Sequence, residues 1–259
     1  MEVQLSGKQI LITGGTSALG QAFVKRAREE GAQIFFTYHK DESCAKQLET
    51  LGARGFQIDL GNRRAIDELK KKISEHTRQL DAIIHNAAVV RDRTIQNMSE
   101  EEWDEALSLD LTAVYYLTKK FLSFLFKKPS PRVIAPTKER GGRNDAPRKI
   151  LNLVSRVGLH GSFGEANYAA AKGGVIALTK TLAQELGKKQ ILVNALNPGF
   201  MKSKMTAGVP PEVFERNIRE SMLGQISEPE HVADFMIYLL SDRFQGVTGQ
   251  IFHLDSRRT

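Results

Sequence analysis

Apolar residues along this chain follow two rhythms. Short β-branched and aliphatic runs alternate with longer stretches in which apolar side chains recur at helical spacing. The short runs predict strands at Lys8–Thr13, Gln33–Tyr38, Gly55–Ile58, Asp81–His85, Ile150–Val154, Ile191–Leu196 and Gln250–Leu254. The amphipathic stretches predict helices from just after Gly20 to about Glu30, then at Glu42–Leu51, Arg63–Thr77, Ser99–Lys127, Ala166–Leu186 and Glu228–Leu240. Strand and helix in strict alternation predict an α/β chain: a single Rossmann-type, doubly wound domain with a seven-stranded parallel sheet and helices on both faces.

Two stretches leave the rhythm. Residues 129–148 hold four of the eight prolines and a Gly-Gly pair, and read as a loop insertion rather than a second domain. Gly199 to Gly224 is irregular and carries Pro210-Pro211; it is either a lid over a site or an ordinary surface excursion. The Ser99–Lys127 stretch opens with a capping signature, Ser99 followed by Glu102. Asp110 interrupts its apolar portion, so that carboxylate either lies on the outer face or works inside.

Composition narrows the class. At 259 residues with 41% hydrophobic and 26% charged content, the chain has the makeup of a globular domain with a sizeable core. No apolar run is long enough for a membrane span. The opening M-E-V-Q-L-S-G-K lacks a basic leader with an apolar core, and the lone Cys44 fits a reducing compartment, so a cytoplasmic protein is expected. The six histidines show no ligand spacing, and a metal role is not expected. Of the net charge of +7, most falls between Lys127 and Lys149, where eight basic residues face only Glu139 and Asp145. A local excess of this kind points to a local anionic partner or to plain solvation, and argues against a face for duplex nucleic acid.

Candidate chemistry sits at the ends of predicted strands. Gly14, Thr16, Ser17, Ala18, Leu19 and Gly20 lie between a strand and a helix, where backbone N–H groups and a helix N-terminus meet a phosphate. His39 and Lys40 follow the second strand, and no acid occurs there before Asp41. A cation at that tip accommodates a 2′-phosphate, so NADP(H) is expected over NAD, with solvated loop charge as the alternative. Asp59-Leu60 either contacts an adenine or closes a turn. Asn86, Ala87 and Ala88 either let backbone lie against a flat ligand or cap a helix. Ser155 ends a strand before a loop with Gly158, Gly161 and Gly164. Tyr168 and Lys172, four apart, share one face of the helix beyond. A serine hydroxyl to hold a carbonyl oxygen, a phenol to protonate it and an ammonium to stabilise the phenolate suit carbonyl reduction.

Taken in order, these motifs resemble the short-chain dehydrogenase/reductase family over essentially the full chain. T-G-G-T-S-A-L-G at Thr13–Gly20 is similar to its cofactor turn, and Asn86-Ala87-Ala88 to its N-A-G. Ser155, Tyr168 and Lys172 match its catalytic serine, tyrosine and lysine. Asn197-Pro198-Gly199, with Ser203 near the usual threonine, resembles the segment that packs on nicotinamide. E-A-N-Y-A-A-A-K-G-G and G-V-T-G-Q-I-F-H-L-D are most similar to bacterial 3-oxoacyl-[acyl-carrier-protein] reductases. The four-residue Tyr–Lys spacing speaks against the enoyl branch.

The resemblance implies NADPH-dependent reduction of a 3-oxoacyl thioester, a homotetramer, and docking of acidic acyl carrier protein on basic residues, of which Lys188 and Lys189 match one position; the basic 129–148 insertion, next to the strand that delivers Ser155, is expected to extend that surface. Departures are Ala18 for the turn's second glycine, Ala88 for the glycine of N-A-G, Asp110 for the catalytic asparagine, and a final D-S-R-R-T that lacks the usual Gly-Gly. Two other readings stand beside it: a reductase of another carbonyl, such as an acyl-CoA or polyketide, and a non-catalytic nucleotide- or RNA-binding member.

Overall fold

The computed structural model describes residues 5–126, 146–203 and 206–257. Seven parallel strands form one sheet in the order β3-β2-β1-β4-β5-β6-β7: β1 Gln9–Ile12, β2 Gln33–Tyr38, β3 Arg54–Gln57, β4 Ala82–His85, β5 Arg148–Leu153, β6 Ile191–Asn197 and β7 Ile251–His253. The order reverses between β1 and β4, the switch point beside which open parallel sheets bind ligands at their carboxyl ends.

Alternation along β1 builds two cores. Ile10 and Ile12 face α1 (Ala18–Glu29), α2 (Glu42–Thr50) and α9 (Pro229–Leu240), while Leu11 faces the other layer. That second layer holds α3 (Arg63–Ser74), α5 (Ala113–Leu125) and the C-terminal part of α7 (Ala166–Leu186). Strands buried on both sides explain why β4, β5 and β6 read as nearly continuous apolar runs.

The predicted Ser99–Lys127 helix is divided. α4 (Glu100–Leu107) begins with the expected capping box, in which Ser99 and Glu102 exchange hydrogen bonds. A π-helical turn over Ser108–Thr112 then precedes α5. Three further pieces differ from expectation. A four-residue helix, α6 (Val157–His160), occupies the glycine-rich loop after β5. α8 (Pro211–Glu220), started by a proline at its first position, lies within the irregular 199–224 run.

The third correction concerns charge. Residues 127–145, with Arg132, Lys138, Arg140 and Arg143, lie outside the described residues. Arg148, however, opens β5 and pairs with Asp81, while Lys149 donates to the carbonyls of Leu239, Ser241 and Phe244. Both are buried, so neither adds to a docking surface. Their partners come from remote segments, which sequence position alone does not reveal.

Candidate active site

The turn after β1 is knotted before any ligand arrives. Gly14 takes φ +66°, and a Cβ there would sit 2.9 Å from the Ala87 Cα; one on Gly20 would run into the Gly14 carbonyl oxygen. Only glycine fits both places, so α1 starts directly behind the turn. Ser17 caps α1, its Oγ accepting from the Gly20 N–H at 3.1 Å. Asn86 binds the turn to β4: its Nδ2 donates to the Thr13 and Gly14 carbonyls at 2.9 Å and to Ser17 Oγ at 3.0 Å. The helix-capping alternative for Asn86 is thus replaced by turn bracing. Thr16, Ala18 and Leu19 complete the cradle; Leu19 is buried and Ala18 is partly exposed.

Around this cradle the other candidates take distinct places. His39 and Lys40 are exposed at the end of β2. Asp59 Oδ1 accepts from the Gly61 N–H at 2.9 Å and closes a turn, leaving the carboxylate exposed. Leu60 is buried in the core against the α3 side, so only its backbone faces outward. Pro198 and Gly199 leave β6 at its carboxyl end, and Ser203 forms a local turn with Thr206. The glycine cradle, the helix N-terminus behind it and the exposed His39-Lys40 pair suit a phosphate-bearing dinucleotide.

Ser155, Tyr168 and Lys172 come together. Gly158 permits it: a Cβ at that position would lie 2.7 Å from the Gly173 nitrogen, so α6 rests directly on α7. The Ser155 side chain lies near enough to the Tyr168 hydroxyl to act on its proton affinity. The Lys172 Nζ lies 5.4 Å from the centre of the Tyr168 ring and donates to the Leu153 carbonyl at 3.4 Å.

Asp110 works inside. It is fully buried in the π-turn; Oδ1 accepts from the Val89 N–H at 2.9 Å, and Oδ2 lies 3.3 Å from Lys172 Nζ. That approach meets ion-pair distance but not hydrogen-bond alignment, since Oδ2 has no hydrogen-bond partner among the described residues. Burial pushes the Asp110 carboxyl up, opposed by Lys172 and the Val89 amide.

One electrostatic expectation is reversed. Instead of being lowered by Lys172, the proton affinity of Tyr168 is raised, first by burial and then by the Asp110 and Glu165 charges; the Ser155 side chain opposes this. Beside it Asp92 is pushed up to about 6 by burial and by Glu165. His85 at the end of β4 is driven down to about 3 by burial and the Lys172 charge, so it stays neutral while contacting Thr118 Oγ1 at 2.9 Å.

Asn167 escaped the sequence reading. Fully buried, it donates to the Arg91 carbonyl at 3.1 Å and the Glu102 carbonyl at 3.0 Å, and accepts from the Tyr168 N–H at 2.8 Å. It fixes the start of α7 to α4 and to the loop after β4. A polar residue directly before Tyr168 on an otherwise apolar helix face was its only signal.

Lys188 and Lys189 are exposed beyond the far end of α7, with Lys189 over the Phe126 ring at 5.1 Å. At 1.5 Å per helical residue they stand about 30 Å from Tyr168 in the same chain. The structure thus puts them at the opposite end of the helix, not beside the site.

Comparison with known proteins agrees with this geometry. Residues 14–256 match the family model described as Enoyl-(Acyl carrier protein) reductase. A 3-oxoacyl-[acyl-carrier-protein] reductase of Thermotoga maritima is 32% identical over 98% of both chains, and one of Aquifex aeolicus is 30% identical over 98% of both. Among solved structures, the Pseudomonas aeruginosa RhlG/NADP active-site complex superimposes with a TM-score of 0.87, covering 99% of this chain and 98% of that one at 24% identity. A short-chain dehydrogenase from Burkholderia cenocepacia in complex with NADP gives 0.83, covering 98% of each chain at 22% identity. With the cradle, the Ser–Tyr–Lys cluster and these matches together, the chain belongs to the short-chain dehydrogenase/reductase family of oxidoreductases.

Proposed function

We propose that this chain reduces the 3-oxo group of an acyl thioester to the 3-hydroxy form, using NADPH. The observation that carries the reading is the convergence of Ser155, Tyr168 and Lys172, with the Lys172 ammonium 5.4 Å from the centre of the Tyr168 ring. Gly14, Thr16, Ser17, Ala18, Leu19 and Gly20 would hold the pyrophosphate, and His39 and Lys40 the 2′-phosphate. Asp59 and the Leu60 backbone would meet the adenine. Asn86, Ala87, Ala88, Pro198, Gly199 and Ser203 would line the path to the nicotinamide. When bound, NADPH supplies the hydride that reaches the carbonyl carbon.

The chain's own groups handle the oxygen. Ser155 Oγ orients the carbonyl and Tyr168 donates its phenolic proton to the oxygen as negative charge grows there. Lys172 then faces the phenolate left behind. Tyr168 remains protonated throughout the neutral range because burial and the nearby carboxylates raise its proton affinity. That is the form reduction needs, whereas alcohol oxidation would start from the phenolate. The curated relatives at 30–32% identity act, by name, on 3-oxoacyl groups, which favours a ketone over an enoyl double bond.

Loss of NADPH absorbance with acetoacetyl-ACP and acetoacetyl-CoA tests the reading. Reduction should be about tenfold more efficient with NADPH than with NADH. Acyl-ACP should show the lower KM at low salt, converging on acyl-CoA as salt rises and the acidic carrier's attraction to this chain of net charge +7 is screened. Turnover of a 2-enoyl but not a 3-oxo thioester would overturn the substrate, and a tenfold preference for NADH would overturn the cofactor.

A further inference from the structure

Helix α8 is an unusually light passenger. Its sole buried residue is an asparagine, Asn217, while Val213 and Phe214 are only partly covered and most of its other residues face solvent. Phe214 meets Phe200 edge-on with ring centres 5.0 Å apart, which sets the helix beside the Pro198–Gly199 turn. A helix with so little apolar burial gains little from the hydrophobic effect, so polar contacts decide where it rests.

Those contacts come from residues 255–257. Arg257 Nη1 donates to Asn217 Oδ1, and Asn217 Nδ2 returns to the Val213 carbonyl at 2.7 Å. The same guanidinium grips Asp255 in a fork, Nε donating to Oδ1 at 2.8 Å and Nη2 to Oδ2. Ser256 Oγ lies 2.6 Å from Ser221 Oγ, and its carbonyl accepts from the Met222 N–H at 2.8 Å. Asp255 reaches the catalytic side: its Cα lies against Gly199, and its carboxylate feels the Arg156 charge next to Ser155.

We propose that Arg257 is a positioning residue that latches α8 over the mouth of the site, tying the lid to the turns that carry Ser155 and Gly199. The lid role rests on the reductase reading, but the latch itself does not. Hydrogen exchange on the full, ligand-free chain tests it directly. In Arg257→Ala, the α8 amides 211–220 should exchange about tenfold faster, with β1, β4 and β5 unchanged. Arg257→Lys should fall between the two, keeping charge but losing the fork. In kinetics, Arg257→Ala should raise the KM for acetoacetyl-CoA about tenfold and leave kcat within about twofold.

Unchanged α8 exchange would overturn the latch. Faster exchange with an unmoved KM would overturn its role in holding substrate. Faster exchange throughout the sheet would reduce Arg257 to a general stabiliser and also overturn the proposal. A wild-type chain that reduces no 3-oxo thioester would sink the substrate reading alone, and exchange would still decide the latch.

Discussion

Two buried lysines bracket the same strand, and they are satisfied in opposite ways. Lys149, at the start of β5, spends its three N–H donors on the carbonyls of Leu239, Ser241 and Phe244 at the end of α9. Burial pushes its ammonium down to about 7, yet a neutral amine would offer two N–H groups to three acceptors, so the acceptors favour the charge. Lys172, beyond the other end of β5, has one carbonyl at 3.4 Å, a carboxylate at 3.3 Å out of hydrogen-bond alignment, and the face of Tyr168. Neither lysine would be told from the other by burial alone. A saturated ammonium holds the fold together, whereas one with donor capacity to spare is equipped to meet a ligand.

The contrast breaks if the two lysines respond alike to removal. Lys172→Met should lower kcat about a thousandfold, roughly 4 kcal/mol at 1.36 kcal/mol per decade, with a small change in urea midpoint. Initial rates and denaturation of one preparation check both halves; a collapse in stability comparable to the loss in rate would erase the distinction. Lys149→Met should do the reverse, costing about 3 kcal/mol in urea unfolding because it strands buried carbonyls, with kcat/KM unchanged in the folded fraction.

Asp110→Asn sharpens the comparison and has the smallest effect. Turnover should hold or rise, since amide and carboxylate are nearly isosteric. A loss beyond about tenfold would show that the charge itself is required. The pH profile carries more information. Reduction needs protonated Tyr168, so the rate falls on the alkaline side as the phenol ionises. Asp110 holds that ionisation back, and removing its charge lets the phenol ionise earlier. The alkaline limb should therefore move to lower pH.

Much of this was legible from sequence because it depends on local period. The strands were placed by short apolar runs and α7 by helical spacing, and the convergence of Ser155, Tyr168 and Lys172 followed. What escaped depends on distant partners. Arg148 and Lys149 read as part of a basic surface because their counterparts, Asp81 and the end of α9, lie far away along the chain. Asn167 gave no periodic signal, since its contacts are backbone carbonyls of other elements. Tyr168 read as a phenol made more acidic by its lysine, but residue types do not report how far burial and a neighbouring carboxylate oppose that effect.

The wide turn at Ser108–Thr112 joins two properties that would otherwise vary independently. Deleting one residue there, to restore ordinary helical winding, would rotate everything beyond it by about 100°. Leu117, Phe121 and Phe124 would then swing off the sheet. The extra residue cannot be shed without dismantling a layer of the core, so the inward aim of Asp110 is inherited together with the hydrophobic packing of α5.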